Sequence, residues 1–135
     1  MSMLPKVEIF AGLSEEEQAA LENSCVTRNY PRNTVVINEN DFADSLYVIE
    51  SGRVKVYCSD KNGKEYIMNT LGPGDYFGEL ALLDDDRRSA SVRTLEKSTF
   101  TIMFKDEFHA IMERHPKIAQ TLIRNLTRRV RKLTE

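Results

Sequence analysis

Between residues 26 and 104 the chain is cut into short β-branched and aromatic runs, each ended by turn residues, and no other feature narrows the possible fold so far. The runs are 26–30, 34–37, 45–50, 53–58, 64–70, 89–94 and 98–104. Segments this short and rich in Val, Ile, Thr, Tyr and Phe read as strands. Ser51-Gly52 and Lys61-Asn62-Gly63-Lys64 read as tight turns, the second a hairpin centred on Asn-Gly that makes 53–58 and 64–70 antiparallel neighbours. Residues 99–104 alternate polar and apolar. Strands at such close spacing imply a sandwich or a rolled-up sheet.

Helical patterns flank this block. Ser14 is followed three residues later by Glu17, a capping box that predicts a helix through about Asn23 with Leu13, Ala20 and Leu21 on its apolar side. Phe104, Phe108, Ile111 and Met112 make the apolar face of a later helix. That helix should stop near His115, because Pro116 disfavours helical geometry in the residue before it. Pro116 suits the first turn of a final helix. There Ala119, Ile123, Leu126, Val130 and Leu133 fall at intervals of four, three, four and three, the seam of a two-stranded coiled coil. Ile118 and Leu122 lie to one side, placed to pack on the sheet; the other reading is that all seven cover the chain's own core.

The 135 residues suffice for one domain with a real core. A formal net charge of -2 excludes a generally basic nucleic-acid binder, although Arg124, Arg128, Arg129, Arg131 and Lys132 gather at the end of the chain. No apolar run is long enough to span a bilayer and the N-terminus lacks a secretory pattern, so a cytoplasmic protein without membrane contact is expected. Cys25 and Cys58, far apart in strand-like surroundings, read as buried free thiols.

The chemistry concentrates between Gly72 and Ala90. After a glycine turn comes Phe77-Gly78-Glu79-Leu80-Ala81, then a polar loop closed by Arg88-Ser89-Ala90. Gly78 precedes helix formers, so N–H groups at the start of one helical turn would face a small anion. Arg88 would supply the counter-charge, its planar guanidinium gripping two phosphate oxygens at once. A carboxylate repels phosphate, so Glu79 is best used to accept hydrogen bonds from hydroxyl groups such as those of a sugar. Phosphate plus ribose suggests a nucleotide. Catalysis is not expected: His109 and His115 do not share a helix face, and no zinc-protease or serine-hydrolase motif occurs. Glu79 with Asp84, Asp85 and Asp86 would suit a divalent metal but for Arg87 and Arg88 beside them, which oppose a cation, so no metal is expected.

Phe77-Gly78-Glu79-Leu80-Ala81-Leu82, a short loop and Arg88-Ser89-Ala90 resemble the phosphate-binding cassette of cyclic nucleotide-binding domains, with the Glu-to-Arg spacing of protein kinase A regulatory subunits. The stretch from Asp44 to Val56 resembles the family's early β-roll, and Gly63, Gly72 and Gly74 fall at its turns. The resemblance implies an α+β fold: an antiparallel, jelly-roll-like β-roll, a double-stranded β-helix, flanked by an N-terminal helix and two C-terminal helices. Its expected divisions are a helical segment over 1–25, the roll over 26–104 with the cassette at 72–90, and the C-terminal helices over 105–135. It implies that Glu79 accepts the ribose 2′-hydroxyl and that Arg88 pairs with the exocyclic oxygens of the cyclic phosphate. Backbone amides around Leu80, Ala81 and Ala90 would complete the cradle, Ser89 would add a hydroxyl, and Leu133 or Thr134 would reach the purine.

The ending from Arg128 to Glu135 resembles the dimer helix of bacterial catabolite activator (Crp/Fnr-type) regulators. The implied function is allosteric sensing of cAMP, or less favourably cGMP, by a homodimer. In that group the dimer helix leads into a helix-turn-helix domain, absent here, so this chain is expected to be a regulator's sensory part that does not itself touch DNA. The alternatives are a stand-alone cyclic-nucleotide module or a nucleotide-free dimerisation scaffold of the same fold.

Overall fold

The computed structural model describes residues 2–134. Two 3-10 turns, Leu4–Lys6 and Glu8–Phe10, lead into α1, Glu15–Asn23. The capping box forms as the sequence requires: Glu17 N donates to Ser14 Oγ at 3.2 Å and Ser14 N to Glu17 Oε1 at 2.8 Å. The inner face of α1 keeps the expected Leu21, with Leu13 packed on the same cluster, but not Ala20. Gln18 and Leu21 are buried and Ala20 is exposed, because Gln18, three residues before Leu21, turns inward to donate its amide to the Phe10 carbonyl.

Eight strands follow among the described residues: β1 Val26–Tyr30, β2 Val35–Ile37, β3 Ser45–Ser51, β4 Val54–Ser59, β5 Glu65–Leu71, β6 Tyr76–Phe77, β7 Ser91–Thr94 and β8 Ser98–Phe104. They pair antiparallel in two four-stranded sheets, ordered β1-β8-β3-β6 and β2-β7-β4-β5. This is the rolled sheet expected from strand spacing, flanked by the expected helices. The β4–β5 hairpin forms with Val54 opposite Leu71 and Ser59 opposite Glu65. Its turn is tied by the Asp60 carboxylate, which accepts from the Asn62 and Lys64 amides at 2.9 Å each.

β3 explains how the layers stack. Ser45 to Ile49 are all buried, since this strand has a core on each face. Leu46 and Val48 point to one cluster with Met103, the N-terminal turns and the C-terminal helices. Tyr47 and Ile49 point to a second cluster between the sheets, with Val54, Phe77, Val92, Phe100 and Ile102. A run buried on both faces loses the strict polar/apolar alternation of a half-exposed strand.

α2, Glu79–Leu83, leaves β6 directly; α3, Lys105–Arg114, and α4, Pro116–Thr134, end the described chain. Phe108 and Ile111 are buried on α3, but Phe104 is 41% exposed: it belongs to the end of β8 and caps the helix rather than joining its inner face. On α4, Ile118 and Leu122 are buried against the cluster that holds Leu4, Val7, Ile9 and Phe10, so the N-terminal turns as well as the sheet receive them. The seam positions are not part of the core: Ala119 and Leu126 are half-buried, and Ile123, Val130 and Leu133 are exposed. Both cysteines are free but half-buried rather than buried. Burial still pushes the Cys25 thiol up to about 11.

Candidate functional site

β6 aims the site from below. The Phe77 ring stacks on Tyr47 at 5.0 Å between centroids and meets Phe100 edge-on at 5.4 Å, which fixes the chain where it leaves the sheet. Gly78 then takes a left-handed conformation, φ 92°, and α2 starts at the next residue. A Cβ at Gly78 would lie 2.6 Å from Arg88 Nη1 and 3.2 Å from the Ser45 carbonyl oxygen. Here glycine is required twice, by the backbone angle and by the guanidinium packed against it. Ala81 and Leu82 are buried and anchor the short helix, whereas Leu80 and Leu83 look outward.

Arg88 returns from the polar loop to the same place. Its main chain is fixed by the β2–β3 connection: Arg88 N donates to Asp41 O at 2.8 Å, and Asn40 N to Arg88 O at 2.9 Å. That engagement also delays β7, which begins at Ser91 and not at Ser89. The guanidinium, with its side chain 3% exposed, donates from Nη1 to Gly78 O at 2.9 Å and from Nη2 to Ser45 O at 2.8 Å. Its nearest carboxylate partner among the described residues is Asp44 at 3.9 Å, a loose contact to a side chain 80% exposed. Burial lowers the Arg88 pKa, opposed by the Tyr47, Asp44, Glu79 and Asp41 charges. A guanidinium nevertheless remains protonated in proteins. The result is a buried cation under-supplied with negative charge, the electrostatic condition of an anion site.

Glu79 is buried beside it. Its Oε1 accepts from Arg129 Nη1 of α4 at 2.9 Å, with the arginine side chain half exposed. Sequence reasoning did not single out Arg129, because it is one cation in a basic run and nothing in the run says which member faces α2. Four residues earlier on the same side of α4, Asn125 Nδ2 donates to Tyr76 Oη at 3.3 Å.

Phe77, Gly78, Glu79, Leu80, Ala81 and Arg88 thus converge around one turn. Ser89 is exposed and Ala90 half-buried at the edge of that turn, and the Ser89 carbonyl accepts the Cys58 thiol at 3.5 Å. Leu133 and Thr134 lie exposed on the last turn of α4, where the Thr134 hydroxyl donates to the Arg131 carbonyl of its own helix. Arg129, not either of these, is the side chain that α4 sends to Glu79. Asp84 to Asp86 are exposed, and Asp85 pairs with Lys105. Among the described residues no three His, Cys, Asp or Glu side chains converge as a metal site.

Comparison with known proteins leads to the same turn. The chain is 33% identical to the cyclic AMP receptor protein of Thermus thermophilus over 123 residues, 91% of this chain and 57% of that protein. It is 32% identical over 130 residues to the CRP-like cAMP-activated global transcriptional regulator of Mycobacterium tuberculosis, 96% of this chain and 58% of that protein. The crystal structure of the Thermus thermophilus catabolite activator protein superposes with a TM-score of 0.84 at 32% identity, covering 93% of this chain and 59% of that one. The chain therefore spans less than two thirds of the length of these relatives. Residues 27–115, which carry all but the first residue of the roll and the turn that joins Glu79 to Arg88, match the cyclic nucleotide-binding domain family, and the chain belongs to it.

Proposed function

We propose that this chain is the allosteric sensory part of a transcription regulator, binding cAMP in preference to cGMP at the turn between Phe77 and Ala90. The observation that carries the reading is the adjacency of two buried, opposite charges: Arg88, held by carbonyl oxygens with no close carboxylate among the described residues, and Glu79, paired with a half-exposed arginine. A cyclic phosphate supplies the anion for Arg88, and the ribose 2′-hydroxyl donates to Glu79. The α2 amides of Leu80 and Ala81, with Ser89 and Ala90, close around the phosphate. Charge-assisted bonds of this kind contribute about 1.5 to 3 kcal/mol each, and micromolar binding requires about 8 kcal/mol. Two or three of them with base packing are sufficient.

The ribose would take the acceptor that Arg129 occupies, so binding and the position of α4 are linked. Leu133 and Thr134 come to the purine when the end of α4 closes on the site, and the exposed seam pairs two chains. Preference for cAMP is supported by the relatives whose names carry it. Isothermal titration with cAMP and cGMP tests the reading: cAMP should bind at micromolar concentration and more tightly than cGMP. No heat with either at millimolar concentration would overturn it. The second reading, a nucleotide-free dimer scaffold, is favoured by one observation, that Arg129 already satisfies Glu79.

A further inference from the structure

α4 meets the turn around Glu79 at two points, not one. Arg129 holds Glu79, and one helical turn earlier Asn125 holds the Tyr76 hydroxyl. Residues four apart share a helix face, so both contacts belong to a single register of α4. Neighbouring β6 residues divide the work: Phe77 faces the core between the sheets, and Tyr76 packs on the helix-side core and reaches α4. Burial pushes the Tyr76 phenol above its ordinary pKa, partly offset by the Asn125 hydrogen bond, so the group is a neutral hydroxyl near pH 7. A groove of about 300 Å³ runs beside this contact, with Glu8 and Asp75 among its walls opposite Arg128, Arg129 and Lys132.

We propose that the Tyr76–Asn125 hydrogen bond is a positioning latch that holds α4 where Arg129 covers Glu79, and so sets the nucleotide concentration at which the site fills. This rests on the nucleotide reading of the Glu79–Arg88 turn. A shift of α4 that withdraws Arg129 also parts Asn125 from the phenol. A latch made only in the covered state would, when deleted, destabilise that state alone and enlarge the fraction competent to bind. Apparent affinity rises by the same factor. A merely structural hydroxyl would act in the other direction or not at all.

The test is Tyr76→Phe, which keeps the ring and its packing, together with Asn125→Ala and the double variant. Each single variant should bind cAMP about two- to tenfold more tightly, the range set by one neutral hydrogen bond. The double variant should match the singles, because both remove the same bond. Amide hydrogen exchange without nucleotide should quicken in the second half of α4 in Tyr76→Phe. Unchanged or weaker cAMP binding by Tyr76→Phe would overturn the latch, as would unchanged exchange. A wild-type chain that binds no cyclic nucleotide would instead overturn the reading of the site, and exchange alone would then judge whether the hydroxyl holds the helix.

Discussion

Arg88 and Glu79 are both buried, but they are stabilised unequally. Glu79 has a charged partner at 2.9 Å, whereas Arg88 has carbonyl dipoles and a distant Asp44. Removing the cation should therefore harm ligand binding more than any other single change at the site: Arg88→Ala is expected to weaken cAMP by more than about tenfold, the loss of one charge-assisted contact. Titration calorimetry checks this, with circular dichroism to verify the fold, and equal affinity would mean that phosphate does not sit at Arg88. Gly78→Ala tests the packing beneath it. The backbone alone should cost about 1 to 2 kcal/mol in a left-handed conformation, and the new methyl group would press on the guanidinium. Thermal unfolding should occur at lower temperature and cAMP should bind less tightly; an unchanged midpoint would refute the close approach. That Glu79 and Arg88 would be brought to one turn was legible in the sequence, because glycine, carboxylate and arginine at that spacing are unusual together. Arg129 was not, since its role depends on which side of α4 faces α2.

At the scale of elements, long or chemically marked segments were readable and short or context-bound ones were not. The Ser14–Glu17 box predicted α1, and Asn-Gly predicted the β4–β5 hairpin, because each motif satisfies backbone groups locally. β6 is two residues between glycines, with no periodicity to detect. Ala20 and Phe104 were misjudged because periodicity gives a face but not which neighbour is present: Gln18 found a carbonyl, and Phe104 stayed with its strand. α1 also offers a pH test. Hydrogen bonds from the Ser14 backbone and side chain hold the Glu17 carboxyl below its ordinary value of 4.5, with His115 and Arg114 adding to the effect. His115, between α3 and α4, lies 2.6 Å from the Glu17 carboxylate, so this charge ties the first helix to the last hinge. A depressed carboxyl contributes stability that is present above the unfolded value and lost as pH falls through the folded one. The melting temperature of wild type should thus exceed that of Glu17→Gln at pH 6 to 7, and the gap should close as pH drops below about 4.5. A gap independent of pH would rule the charge out, since glutamine can still complete the capping box.

For the whole molecule, the rolled sheet is a platform whose one face is closed by helices, and the last of these, α4, carries an apolar stripe without cover. Ile123, Val130 and Leu133 are 63, 61 and 84% exposed, and beside them a groove of about 370 Å³ between α3 and α4 is lined by Leu83, Met112, Ala119 and Leu126. Exposed apolar area of this kind marks an interaction surface. The wild-type chain is expected to sediment as a dimer and Ile123→Glu with Val130→Glu as a folded monomer; a dimer that persists in the double variant would place the interface elsewhere. α4 therefore carries three surfaces on one cylinder: Ile118 and Leu122 grip the core, Asn125 and Arg129 touch Tyr76 and Glu79, and the apolar stripe is bare. Side chains on a helix are fixed to one another at about 100° per residue. Turning the shaft enough to lift Arg129 from Glu79 would swing the stripe through the same angle, so an event at the turn would be converted into a direction in space. A second chain seated on that stripe would read the angle as a pointer reads a dial.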